Sequence, residues 1–390
     1  MSSPIENPLN ATFTFKIYTS VFNLPLSWDS LSNFNLFLSR DYLQVLQESA
    51  PVNMECYYIG LFHREELVGI ALSQFIDLSS VGSYGERDRR LKTSIRNFVF
   101  KNFSSHVLFM GNNMLTGQNG YFFSTILPVA DGLLLLTEAS KQIRKDYLSK
   151  NIKIHLTVFK DFSSSEVLHF KIPEFESYYQ FTTQPNMVFE IRGNWHLLDD
   201  YILDLNKKYR DQYKRARKKA EGISKRKLTF DEITNYKDRI NDLYMQVARN
   251  APFNTFYLPE NHFEIFKKLI KNNFLFYGYF IDDNLIGFNT LIKNGTDIDT
   301  YFLGYDTLYQ REKMLYLNML YDMIGYSINK GYRKVIFART ALEIKSSIGA
   351  VPVKMFGYIK HSNPLINLFI SKIFSYLEPE IIWQERNPFT

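Results

Sequence analysis

The 390-residue chain has one cysteine, Cys56, so it holds no intrachain disulfide and suits a reducing compartment. Cys56 sits among apolar residues, which favours burial over a nucleophilic role. No apolar run reaches the ~18 residues a membrane span needs. The nearest, residues 126–136, is interrupted by Pro128 and Asp131. The start, Met1-Ser2-Ser3-Pro4-Ile5-Glu6-Asn7, has no basic-then-apolar leader, so no secretory signal is expected and the expected location is cytoplasmic. The Gly-rich phosphate loop ending in Lys-Ser/Thr is absent, as are G-x-G-x-x-G, G-x-S-x-G and H-E-x-x-H. The histidines (His63, His106, His155, His169, His196, His262 and His361) stand singly without metal-ligand spacing. They read as structural or surface residues, and no metal is expected.

What the chain does contain is a repeat. Tyr57-Tyr58-Ile59-Gly60-Leu61-Phe62 and Leu67-Val68-Gly69-Ile70 recur, shifted by 218 residues, as Leu275-Phe276-Tyr277-Gly278-Tyr279-Phe280 and Leu285-Ile286-Gly287-Phe288. Each copy is two apolar strands around a short polar turn, the pattern of a β-hairpin. A further strand follows each, residues 106–111 and 299–304. A helix comes next, near residues 128–148 and 311–330, and it ends in Lys150-Asn151 or Lys330-Gly331, where Asn and Gly accept the left-handed conformation that closes helices. A last strand covers residues 152–159 and 334–337. Two copies of hairpin, strand, helix and strand predict two related domains.

Charge is concentrated. Eleven of the 21 residues from 207 to 227 are Lys or Arg, opposed only by Asp211 and Glu221. The stretch lacks Pro and Gly as far as Gly222, so a helix is expected. It is either a solvated face or a surface for an anionic partner such as a phosphate-bearing donor, a nucleic acid or a membrane. No zinc-finger pattern and no aromatic pattern accompany it, so sequence-specific nucleic-acid binding is not expected. Residues 364–377 form a strongly apolar helix candidate, which fits a core or interface element or a helix lying in a membrane surface.

The order hairpin, strand, helix, strand resembles the acyl-CoA N-acyltransferase (GNAT) fold. Ala338-Arg339-Thr340-Ala341-Leu342-Glu343-Ile344-Lys345-Ser346-Ser347-Ile348-Gly349-Ala350 looks like the end of the CelD/BioF-like acetyltransferase branch, where a short helix carries Lys and a Gly-Ala pair. The basic helix is similar to the segment preceding the second domain in that branch and in FemAB-type peptidyltransferases. The expected fold class is therefore α/β, more strictly α+β, with two tandem GNAT-like domains, each a mixed twisted sheet flanked by helices. They are expected at residues 1–180 and 181–390, the second with a basic helix at 205–222 and the apolar helix at 364–377.

The resemblance implies transfer of an acyl group from a thioester, acyl-CoA or an acyl carrier protein, to an amine acceptor, with no permanently bound cofactor. In the family two central strands diverge, and freed amides of one bind the donor's pantetheine arm. The matching strand here is 299–305, with Phe302, Leu303 and Gly304 toward the donor. The next helix is expected near Gln310, with Arg311 and Lys313 supplying charge toward the donor's pyrophosphate. The family's glycine pair is missing at that point, which admits other donors, including charged tRNA. Asp299 and Glu343 are candidate bases. Alternation places Asp299, Tyr301 and Leu303 on one strand face and Thr300, Phe302 and Gly304 on the other. Asp299 and Tyr301 are thus catalytic candidates, although a plain strand edge carries such residues too. Arg339 and Lys345 are candidates for holding a donor phosphate or an anionic substrate group, or are surface charges. The rival readings are a FemAB-like aminoacyl transferase, without that group's long helical hairpin, and a non-catalytic degenerate domain that binds a lipid or protein. The apolar tail suggests a lipid-like acceptor and peripheral contact with the inner membrane face.

Overall fold

The computed structural model describes residues 13–32, 35–79, 105–251, 254–372 and 383–389. They fall into two compact units. The first takes in the described residues of Met1–Thr183, Pro252–Pro259 and Lys354–Glu380, and the second those of Gln184–Ala251, Glu260–Val353 and Ile381–Thr390.

The first unit is built on β1 (Phe13–Tyr18), β2 (Met54–His63), β3 (Glu66–Asp77), β4 (His106–Met110), β5 (Tyr121–Phe123) and β6 (Leu156–Phe162). Neighbours run antiparallel in the order β1-β2-β3-β4, and β6 then joins β4 in parallel. Once β4 has ended, β5 takes its place along β3. Short helices lie between β1 and β2, and the Val129–Ser149 helix connects β5 to β6.

The second unit repeats this plan. It uses β7 (Tyr179–Glu190, here from Gln184), β8 (Ser224–Lys227), β9 (Phe274–Ile281), β10 (Asn284–Asn294), β11 (Asp297–Thr300), β12 (Gly304–Tyr305) and β13 (Lys334–Ile336). The order is β8-β9-β10-β11-β13-β7, with β11 and β13 as the parallel pair and β12 replacing β11 along β10. The last strand, β14 (Val351–His361), pairs from Phe356 to His361 with β6 of the first unit. The chain therefore does not divide by a single cut at 180/181. Hydrogen bonding along β6 takes the stretch from Lys354 back to the first unit.

The repeat holds at the level of atoms. A methyl group on Gly60 would meet Phe62 and Leu67 at 3.0 Å. One on Gly278 would meet Phe280 at 2.7 Å and Leu285 at 3.1 Å, the same two partners under the 218-residue shift. Gly69 lies between β2 and β5, and Gly287 between β9 and β12. Equivalent side chains crowd Gly60 and Gly278, whereas Gly69 meets Leu61 and Leu127 and Gly287 meets Leu315 and Met319.

In the second unit the Leu315–Asn329 helix is apolar on nearly every side and is buried accordingly, from Leu315 to Ile328. It ends at Lys330, followed by Gly331 at φ +71°. The apolar tail begins as the Pro364–Asn367 helix, with Ile370 buried and Leu365, Leu368 and Phe369 exposed. Residues 373–377 of the expected tail helix lie outside the described residues. Among the described residues no helix is long and apolar enough to cross a membrane.

Candidate active site

The site starts from a register change. Leu291 faces Thr300 on β11, but Phe288 faces Gly304 on β12, so two residues of β10 oppose three between the strands. One extra residue is a β-bulge. Thr290 brackets it, its carbonyl accepting from the Tyr301 amide at 3.0 Å and its hydroxyl donating to the Phe302 carbonyl at 2.6 Å. On the other side of β11, β13 stays in register only from Asp297 opposite Lys334 to Asp299 opposite Ile336. Beyond that rung β13 follows β7, with the Phe337 amide donating to Met187 O at 2.8 Å. Residues 301–305 thus leave β13 and stay with β10, and the parallel pair opens.

The bulge corrects the expected alternation. Ile298 packs in the core that contains Leu315–Ile328, so Asp299 points to the opposite face. Tyr301 follows it there, against His262 and Phe266, and Phe302 meets Tyr244. Leu303 turns back and packs with the core on the Leu315 side. Asp299 and Tyr301 therefore share a face, whereas Leu303 is not on it.

Gly304 is fixed by close approach. A methyl group there would lie 2.5 Å from Phe288 and 2.6 Å from the backbone of Leu243 and Tyr244. Gly304→Ala must push the Lys237–Ala248 helix off the strand. The expected loss is about 1–3 kcal/mol of stability, measurable by denaturant unfolding.

The turn after β13 is strained. Ala338 and Ala341 both take left-handed backbone, at φ +57° and +52°, a conformation that costs a residue with a side chain of order 1–3 kcal/mol. Arg339 lies between them, and burial pulls its guanidinium down to about 10. Lys345, in the Leu342–Ser346 helix, is buried and donates from Nζ to the Phe337 carbonyl, which ties the turn to the strand end. Burial pulls its ammonium down to about 7. Glu343, by contrast, is half-exposed and engaged by Arg386.

Asp299 is 5% exposed, and its carboxyl is pushed up to about 7, first by burial and then by Asp297, against Lys334 and Asn294. The Tyr301 hydroxyl lies 3.0 Å from His262 Nε2. No local pattern singles out His262. It shares its helix face with Phe266 and Ile270, the four-residue spacing of a buried stripe.

The segment after β12 differs from the expected single helix. Asp306 caps a short Thr307–Lys313 helix, Met314 breaks it at φ +49°, and the long helix starts at Leu315. Arg311 and Lys313 therefore lie in the last turn of the first helix, and not in the first turn of the second. Arg311 is exposed, and Lys313 Nζ donates to Glu221 O at 3.3 Å. The Tyr316 amide in the second helix's first turn donates to Gln310 Oε1 at 2.8 Å.

The basic segment forms the Lys207–Lys219 helix. Its Arg217 turns inward to Asp322 at 2.8 Å and to Asn318 Oδ1 at 3.3 Å. Asp322 also accepts from Tyr279 at 2.8 Å and lies 3.6 Å from Lys225. Burial disfavours the Arg217 charge, yet Asp322 and Tyr213 hold its pKa raised. Lys225 is lowered by burial and by Arg217 against the pull of Asp322. Part of the basic run thus anchors the helix beside the start of the Leu315–Asn329 helix.

In the first unit Lys160 stands at the corresponding place, one residue past the last β4–β6 rung. There β4 pairs with β6 from Val107 to Met110, and Gly111 leaves at φ +143°. Lys160 donates from Nζ to Asn112 O at 2.9 Å and Leu115 O at 3.3 Å and pairs with Asp161 at 2.6 Å. Its side chain lies so close that a methyl on Gly111 would sit 2.9 Å from Lys160 Cγ.

The same unit brings together three histidines that the sequence shows singly. His106, His155 and His361 stack with rings 6° from parallel, at 5.2 and 6.5 Å. Burial, then His106, His361 and Lys153, push His155 down to about 4. Among the described residues no group of three or more His, Cys, Asp or Glu is arranged to hold a metal ion. Burial pushes the Cys56 thiol up to about 12, far from a reactive thiolate.

No protein-family model matches the chain, and no curated protein does. Solved structures do. The chain is similar to the crystal structure of FemX with a TM-score of 0.53 and 10% identity, over 89% of this chain and 99% of that one. It is similar to a tandem GNAT protein from the clavulanic acid biosynthesis pathway with a TM-score of 0.50 and 10% identity, over 90% of this chain and 99% of that one. The fold is a tandem GNAT fold. At these identities the likeness is one of fold, and the chemistry rests on the residues.

Proposed function

We propose that the chain is an N-acyltransferase that moves an acyl group from a thioester, acyl-CoA or acyl carrier protein, to an amine. The observation that carries this reading is the parting of β11 and β13 beyond the Asp299–Ile336 rung. A donor arm laid in that opening can hydrogen-bond to backbone that has left its strand partner. In this reading Asp299 takes the proton that the amine loses, since a base with a pKa near the working pH is the most effective. Tyr301, on the same face, protonates the leaving sulfur. The strained Ala338–Ala341 turn and Lys345 border the opening, and Arg311, Lys313 and the Lys207–Lys219 helix supply positive charge for the donor's phosphates. Because Lys160 stands at the corresponding place in the first unit, one donor binds per chain. Exposed Leu365, Leu368 and Phe369 support a lipid-like acceptor or contact with a membrane surface. The narrower placing in the CelD/BioF-like branch rests on the stretch from Ala338 to Ala350 alone.

A second reading, aminoacyl transfer from charged tRNA, is favoured by the basic helix beside the start of the Leu315–Asn329 helix. Thermal unfolding with acetyl-CoA, long-chain acyl-CoA and free CoA separates the two. A ligand at a hundredfold excess over its dissociation constant stabilises the native state by about 2.7 kcal/mol. A shift with an acyl-CoA, lost in the double variant Arg311→Ala with Lys313→Ala, is the expected result. No shift with any of the three removes CoA as the donor.

A further inference from the structure

Resting on the acyl-transfer reading, we propose that residues 383–389 are a positioning strap for the donor site. The strap holds the Leu342–Ser346 helix in place, and through Lys345 it fixes the end of β13 beside the opening.

The helix needs outside support. It has five residues, well short of the ~12–15 at which an isolated helix becomes marginal. It starts from Ala341 in left-handed backbone and has no side-chain cap. Leu342 seats it in the core, and polar contacts orient the rest. Toward the sheet, Lys345 Nζ donates to the Phe337 carbonyl, one residue past the Asp299–Ile336 rung. In a regular antiparallel pair that carbonyl would accept from Met187, which takes the Phe337 amide. The Met187 amide instead donates to Ala338 O at 3.1 Å, and Lys345 takes the carbonyl it passes over.

Residues 383–389 grip the same helix at two points. The Arg386 guanidinium donates to Glu343 Oε1 from Nε at 3.1 Å and from a terminal nitrogen, and the Arg386 amide donates to Ser346 Oγ at 3.0 Å. The anchors just past the helix also lead to the strap. Tyr201 donates to Ile348 O at 3.0 Å and packs edge-on against Phe389. Gln212 donates to Ser347 Oγ at 3.3 Å from the basic helix, whose capping residue, Asn206, donates its amide to Pro388 O at 2.9 Å. One short segment therefore braces both charge-bearing elements that the donor's phosphates would meet.

The strap has its own anchor. The Phe389 ring lies 5.6 Å from Trp195, with the Arg192 guanidinium 4.4 Å over its face. It packs directly on Gly349, where any side chain would collide with the ring and where φ is +100°. The Arg386–Glu343 pair, by contrast, is partly exposed, and such pairs add little to global stability. Breaking it loosens the helix and leaves the fold standing.

Reciprocity supplies the test. If a docked strap improves donor binding, the donor must stabilise the docked strap. A segment that merely closes off the core has no such link. Hydrogen exchange of the full chain, read by mass spectrometry with and without acetyl-CoA or a long-chain acyl-CoA, should show residues 383–390 and 342–350 protected by the donor. Arg386→Ala should raise the donor's dissociation constant about fivefold with thermal stability nearly unchanged. The charge exchange Glu343→Arg with Arg386→Glu should restore most of that loss. A donor that binds without protecting residues 383–390, or that binds Arg386→Ala as well as wild type, overturns the proposal. If neither acyl-CoA binds, the donor reading fails separately. Exchange without ligand then judges the strap: Arg386→Ala should speed exchange in residues 342–350 and leave residues 315–329 unchanged. No local change, or an equal rise in both segments, overturns the strap's hold on the helix.

Discussion

Asp299→Asn is expected to lower kcat about 10²–10⁴-fold, the usual contribution of a positioned general base, with the donor's KM little changed. The same substitution is expected to stabilise the protein at neutral and higher pH. The two effects share one cause. Burial, reinforced by Asp297, pushes the carboxyl up to about 7, whereas an unfolded aspartate titrates near 3.9. The folded state therefore holds the proton more tightly than the unfolded state. Its contribution to stability is complete below pH ~4, falls as pH rises toward 7, and stays lost above that. Asparagine has no such dependence. Relative to wild type, the variant should gain on the order of 3–4 kcal/mol between pH 4 and pH 8, seen as diverging melting temperatures. The wild-type rate should rise with pH through an apparent pKa near 7. Divergent stability with full activity would leave Asp299 as a buried structural acid and move the base elsewhere.

Much of the scaffold was legible because its cues are local. Gly60 and Gly278 mark backbone crowded by a nearby Phe and Leu, and the hairpins announce themselves by apolar strands around polar turns. The basic run reads as a helix because nothing before Gly222 interrupts it. The site was harder to see, because its decisive features arise between distant segments. The bulge between Thr300 and Gly304 adds one residue where the Lys237–Ala248 helix presses on Gly304, and no local pattern reports that pressure. Alternation therefore located Asp299 and Tyr301 on one face but misplaced Leu303. Glu343 was a reasonable base by composition, but its partner, Arg386, is 43 residues away. His262 is one buried position in a helix stripe, and only the fold shows that the stripe faces Tyr301. The pairing of β14 with β6 is likewise invisible to any local reading.

Lys160→Met should destabilise the first unit by about 3–5 kcal/mol, the usual cost of removing one partner of a buried ion pair. The Lys160 and Asp161 side chains are 9% and 0% exposed, and Asp161 holds left-handed backbone at φ +70°, so it cannot swing easily toward water. Methionine keeps the length of the side chain but leaves the carboxylate without its ammonium and removes the donor from the Asn112 and Leu115 carbonyls. The two losses can be told apart, since a buried charge that loses its ammonium costs far more than a neutral hydrogen bond, which is worth about 1 kcal/mol. The double variant Lys160→Met with Asp161→Asn removes the charge as well as its partner. It should therefore recover most of the loss in denaturant unfolding. If it is as unstable as Lys160→Met, the lysine acts mainly by bracing the loop after β4. In either case a side chain of similar length still stands one residue past the last β4–β6 rung, so titration with donor should still give one site per chain.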